Sequence, residues 1–202
     1  MRLYLNRTSP YARLVLATAH EAGLAERLDT VWVEPWDDAP ALLAANPFGK
    51  VPALETDGGT VLIESAVICD HLIAVSGCDH LMPAPSAGRE DALHRLGFGR
   101  AAIDCSFGAV IGRRFAGGET PPLAQRWLKA IPRAVSALDA IGARRIVPSA
   151  PDLGDLAVAV AFDYVDFRLP EIRWRAVAPS LARWVDAVRA RPSMAATDPR
   201  RA

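Results

Sequence analysis

Pro52 heads an apolar segment, Val51-Pro52-Ala53-Leu54, that otherwise reads as a β-strand. Proline has no N–H to give to a ladder, so this strand must lie at an edge or bend at that residue. Cis peptide bonds, where they occur, are almost confined to X-Pro bonds, so Val51–Pro52 is a place where one could stand. Upstream, Ala41 to Ala45 reads as a short helix ended by Asn46-Pro47, and Phe48-Gly49-Lys50 leads into the strand. Downstream, Asp57-Gly58-Gly59-Thr60 is a hairpin turn signal, and Val61-Leu62-Ile63 pairs back. The sheet must therefore hold an antiparallel hairpin whose first strand starts at a proline.

The flanking sequence completes a small α/β unit. Leu3 to Leu5 is a brief strand candidate, followed by a turn over Asn6-Arg7-Thr8-Ser9. Ser9 is a natural helix N-cap, and Pro10 fits the first helical position, where a missing N–H costs nothing. That helix carries Leu14, Val15 and Thr18 on one face and stops at Gly23. Val31-Trp32-Val33 reads as the second strand, and Glu64-Ser65 opens a helix with Ile68, Leu72 and Ile73. The order β-α-β-α-β-β-α is that of a compact α/β layer structure.

Beyond Gly77 to Gly88, a stretch with Pro83, Pro85 and Ser86, the strand pattern ends. Arg89 to Phe115 is one long helix by its apolar spacing, although Gly97, Gly99, Gly108 and Gly112 weaken it. Glycines there would let a second helix approach closely. Leu123 to Ile141, Asp152 to Phe167 and Pro179 to Arg189 are further helices. Asp152 can cap its helix with Asp155 at the third position, and the all-round apolar surface that follows marks a central, buried helix. The chain thus divides into an α/β domain over 1–78, a linker over 79–88 and an all-helical domain over 89–202.

Composition excludes several classes. With 51% hydrophobic residues the chain is not intrinsically disordered. Its apolar runs are too short for a membrane span, and the charged start lacks the apolar core of a signal peptide. Cys69, Cys78 and Cys105 form no CxxC pair, and the four histidines have no ligand spacing, so no metal is expected. This cysteine usage points to a reduced, cytoplasmic protein. The 23 basic and 23 acidic residues cancel, which gives nucleic acid nothing to bind. Arg144-Arg145 and Arg173-Trp174-Arg175 read as solvated basic clusters.

Four segments together resemble the cytosolic glutathione S-transferase family: Thr8-Ser9-Pro10-Tyr11-Ala12-Arg13, Asn46 to Leu54, Leu62 to Ile68, and Pro151-Asp152-Leu153-Gly154-Asp155-Leu156-Ala157. Arg191-Pro192-Ser193 is similar to the family's tail, and the start looks most like that of small bacterial members. The resemblance implies a thioredoxin-like α/β N-terminal domain, an all-α C-terminal domain and a homodimer. Residues 1–78 carry 5 Lys or Arg against 10 Asp or Glu, and residues 79–202 carry 18 against 13. Such opposite charges fit an antiparallel dimer. Asp152 stands where the family usually has Ser or Thr, and the first helix carries no cysteine for glutathione-disulfide chemistry.

The implied activity is conjugation of glutathione, as cosubstrate, to a small electrophile in detoxification. The alternative is a non-catalytic glutathione-binding or protein-interaction module. Ser9, which matches the catalytic cysteine position of omega-like members, would donate a hydrogen bond to the thiolate; Thr8, which matches the serine of zeta-like members, is its rival. Val51 and a cis Pro52 would hold the cysteinyl part. Glu64 would pair with the γ-glutamyl ammonium group, and Ser65, capping the third helix, would bind the neighbouring carboxylate. Lys50 would reach the glycyl carboxylate. By analogy of fold, Tyr11, Trp36, Cys105, Phe107 and Arg113 would line the cleft for the electrophile.

Overall fold

The computed structural model describes residues 1–145 and 149–201. Strands β1 (Arg2–Leu5), β2 (Asp29–Trp32), β3 (Ala53–Glu55) and β4 (Val61–Ile63) form one sheet in the order β2-β1-β3-β4. β1 and β2 are parallel, and β3 is antiparallel to both of its neighbours. The Val51–Pro52 peptide bond is cis, and β3 starts immediately after it. Helices α1 (Pro10–Glu21), α2 (Pro40–Ala45) and α3 (Ser65–Ser76) complete the layers.

Period-two alternation sorts the side chains of β1. Tyr4 packs with Leu42 of α2 and Ala53 on one face of the sheet. Leu3 and Leu5 point the other way and are fully buried, as are Leu14 and Val15 of α1 and Ile68 and Leu72 of α3. Fully burying side chains of this size contributes about 1.5–3 kcal/mol each.

By contact the chain divides into two compact units, residues 1–82 with Pro192 onward, and residues 83–191. The last segment clusters by contact with the first unit. Helix α8 (Pro192–Ala196) packs on α1 of the first unit instead of joining the helices before it. Its ties are side-chain bonds between residues far apart in sequence, which no local pattern reveals.

The second unit holds α4 (Ala87–Phe115), α5 (Pro122–Gly142), α6 (Leu153–Arg168) and α7 (Pro179–Arg189). Every residue of α6 from Leu153 to Val165 is buried. The Gly99 backbone lies so near α6 that an added Cβ would stand 2.5 Å from the Ala157 carbonyl carbon. At α6's start the expected capping box is formed: Asp152 Oδ1 accepts from the Asp155 N–H at 2.9 Å, and Asp155 Oδ2 accepts from the Asp152 N–H at 3.1 Å. Arg145 is not part of a solvated cluster. It donates to both Asp155 oxygens, at 2.6 and 2.5 Å, while Trp184 Nε1 donates to Oδ1 at 3.0 Å. Arg95 pairs with Asp152 from α4. Arg175 likewise bridges Asp166 and Asp186, and Trp174 is buried with its Nε1 donating to Asp166 at 2.7 Å. No described helix is long and apolar enough to cross a membrane.

Candidate functional site

Strand register places most of the expected glutathione contacts at one end of the sheet. Tyr4 pairs with Ala53 and Ala53 with Ile63, so the end of β1, the start of β3 and the end of β4 lie in one row. Leu5 pairs with Trp32, which adds the end of β2. The segments leaving this row are Asn6–Ser9, Glu34–Trp36 and Glu64–Ser65, and the segment entering it is Lys50–Pro52. The row thus joins residues more than fifty positions apart in sequence.

Ser9 is the N-cap of α1 and is buried. Its Oγ accepts from the Ala12 N–H at 3.2 Å. Accepting uses one lone pair and leaves the hydroxyl proton as a donor. Thr8 differs. Its hydroxyl donates to Asn6 Oδ1 at 3.1 Å, and its N–H donates to the same oxygen at 3.0 Å. Asn6 is itself anchored by Nδ2, which donates to the Val33 carbonyl and to Glu34 Oε2, both at 3.2 Å.

Asn46, buried before β3, shapes the approach to Pro52: Nδ2 donates to the Lys50 carbonyl at 2.7 Å and Oδ1 accepts from the Phe48 N–H at 3.1 Å. The Lys50 side chain is exposed.

Glu64 and Ser65 bring a correction. Ser65 is the first helical residue of α3 and buried, whereas Glu64 holds the N-cap position and is exposed. Glu64 adopts φ 70° and ψ 120°. A long side chain at positive φ costs of order 1–3 kcal/mol and persists only where surroundings impose it. No sequence signal announces this backbone.

The residues expected at the electrophile cleft are less coherent. Tyr11 lies half-buried in the first turn of α1, and Trp36 is exposed in a short 3-10 turn over Pro35–Asp37. Within α4, Cys105 and Phe107 are two residues apart and so face away from one another. Cys105 lines an apolar groove of about 500 Å³ with Leu93, Phe98, Ala101 and Ile131, confined to α4 and α5. Burial and the adjacent Asp104 push its thiol pKa up, which disfavours the thiolate. Arg113 donates to Glu171 at 2.5 Å and to Thr120 Oγ1 at 3.1 Å. Cys105, Phe107 and Arg113 therefore do not form one face.

Two family models match the sequence: the glutathione S-transferase N-terminal domain over residues 8–75 and the C-terminal domain over residues 121–187. The chain belongs to the glutathione S-transferase family. A family member from Methylobacterium radiotolerans, solved in complex with glutathione sulfonate, is 30% identical with a TM-score of 0.87, covering 98% of this chain and 94% of that one. A glutathione transferase family member from Pseudomonas fluorescens with bound glutathione is 32% identical, TM-score 0.84, over 98% of both chains. A glutathione S-transferase from Methylobacillus flagellatus with glutathione bound is 28% identical, again with TM-score 0.84 over 98% of both chains. No curated protein matches the sequence. The glutathione S-transferase fold, with its thioredoxin-like first unit and all-helical second unit, is thus the one the sequence motifs imply.

Proposed function

We propose that this glutathione S-transferase family member binds glutathione at the end of its sheet, stabilises the thiolate there and transfers it to a small electrophile. The observation that carries the reading is the convergence of Ser9, Pro52 and the Glu64–Ser65 pair along the Tyr4–Ala53–Ile63 row. The relatives solved with glutathione bound support it.

The attacking species is thiolate, so the protein must lower the thiol pKa. Ser9 would do so by donating its hydroxyl proton to sulfur, beside the positive start of α1. It is a hydrogen-bond donor, neither nucleophile nor base. The N–H and C=O of Val51 would pair with the cysteinyl unit as an added strand does. Glu64 would take the γ-glutamyl ammonium in a charge-assisted bond. Ser65, at the start of α3, would take the α-carboxylate through its hydroxyl and N–H, and Lys50 the glycyl carboxylate. Tyr11, Trp36 and Phe107 are the side chains proposed to meet the electrophile. The sulfur forms a new bond to carbon; in substitution the leaving group departs with its electron pair, and in addition the resulting carbanion takes a proton.

The protein would act as a homodimer. Exposed Val67 and Val75 on α3, and exposed Leu93 beside the apolar groove on α4, support a covered face in each unit. Sedimentation should give twice the chain mass, and a monomer at micromolar concentration would contradict this. The catalytic reading is tested by steady-state conjugation of glutathione to an activated aryl halide. Turnover by the native chain and its loss in Ser9→Ala support it. Glutathione binding without turnover on any electrophile tried would favour the non-catalytic module.

A further inference from the structure

Arg13 is a charged residue only 5% exposed, one turn inside α1. Its backbone N–H donates to the Ser9 carbonyl at 3.0 Å, the first bond of the helix. A cation here opposes the helix dipole, whose positive end is the N-terminus. The side chain finds its compensation in the C-terminal segment. Nη2 donates to the Met194 carbonyl at 3.2 Å, in the last turn of α8, where a cation is favoured. Nε reaches Thr197 Oγ1 at 3.4 Å. Asp198 follows in the same segment. Partial burial works to raise its carboxyl pKa, but bonds from Arg200 and the charges of Arg200 and Arg13 bring it below the ordinary value. At the far end of α1, Ser193 Oγ donates to Glu21 Oε1 at 2.5 Å. The segment thus grips α1 at both ends, nearly two hundred positions from the helix start in sequence.

We infer that Arg13 is a positioning residue for the thiol, and that the segment from Pro192 to Arg201 is the clamp that holds it and α1 in place. The inference rests on the proposed stabilisation of a glutathione thiolate beside the start of α1. Arg13 fixes the Ser9 end of the helix and adds a buried positive charge to the potential beside it. Met194, Thr197 and Asp198 make that charge affordable in the folded chain.

The test is the titration of glutathione bound to the full-length protein, followed by thiolate ultraviolet absorbance, in native protein, Arg13→Gln, Arg13→Lys, Thr197→Val and Ser9→Ala. Arg13→Gln should raise the bound thiol pKa by about one unit, which is about tenfold less thiolate below both values. Arg13→Lys should recover part of that shift, and Thr197→Val, which removes the hydroxyl that Nε reaches, should give a smaller one. The loss should appear in kcat at neutral pH and diminish in alkali, with glutathione affinity held within about threefold. A lower melting temperature with an unmoved thiol titration in both Arg13→Gln and Thr197→Val would overturn the clamp as a positioning device. Two further results separate this idea from the one beneath it. A native thiol pKa equal to that of free glutathione removes thiolate stabilisation itself, and the clamp with it. A lowered native value that shifts in Arg13→Gln but not in Ser9→Ala removes Ser9 as donor and leaves the clamp supported.

Discussion

The Thr8 hydroxyl donates to Asn6 Oδ1 at 3.1 Å, so its single proton is engaged inside the β1–α1 turn. The Ser9 hydroxyl one residue later accepts from Ala12 and keeps its proton as a donor. Ser9→Ala should therefore lower kcat/KM for glutathione conjugation about tenfold to a hundredfold, the worth of a hydrogen bond to a charged group. Thr8→Val should stay within about threefold. Equal losses in the two variants, measured by steady-state kinetics, would contradict the assignment.

Glu64 combines positive φ with a proposed contact to the ligand ammonium group. Glu64→Gly relieves the backbone, of order 1–3 kcal/mol, against a glycine entropy cost of about 0.5–1 kcal/mol. Denaturant unfolding should then show unchanged or higher stability, while glutathione affinity falls about tenfold or more. A variant that loses stability and binding together would make Glu64 a structural residue.

Gly99 touches the α6 backbone, and an added Cβ would also stand 2.7 Å from the Ala157 Cβ. Gly154 makes the reciprocal approach, its added Cβ falling 2.5 Å from the Ala92 carbonyl oxygen. Gly99→Ala should cost at least about 1–3 kcal/mol, despite alanine's higher helix propensity. Gly97, with open space at its Cβ, should accept alanine with no loss. Paired urea melts of the two variants decide this.

Burial pushes the Tyr164 hydroxyl up to about 12, against the pull of Arg168. The folded chain then holds the proton over a range where the unfolded chain, at about 10, has released it. Stability from this group is complete below about pH 10 and is lost as pH rises toward 12. Tyr164→Phe should flatten that alkaline decline in a pH series of unfolding midpoints. An identical decline in both proteins would contradict it.

Local signals were legible in the sequence, and contacts over distance were not. Ser9-Pro10 marks the start of α1, and Asp152 with Asp155 marks that of α6, because caps act within one turn. Pro52 announced the cis bond through its flanking residues. Arg145 read as solvated because its acceptor, Asp155, is ten residues away in sequence. Cys105 was grouped with Phe107 by analogy of fold, although helix geometry sends them apart. At the candidate site the N-cap of α3 falls on Glu64 and not on Ser65, and that depends on a backbone angle that side-chain chemistry does not encode.

The most direct measurement is calorimetric titration of glutathione into the native chain and into Glu64→Ala. Saturable one-to-one binding to each native chain is expected, weakened about tenfold or more in the variant, as loss of a charge-assisted contact requires. No heat of binding with the native protein, or equal affinity in the two, would contradict a glutathione site at the Glu64 end of the sheet.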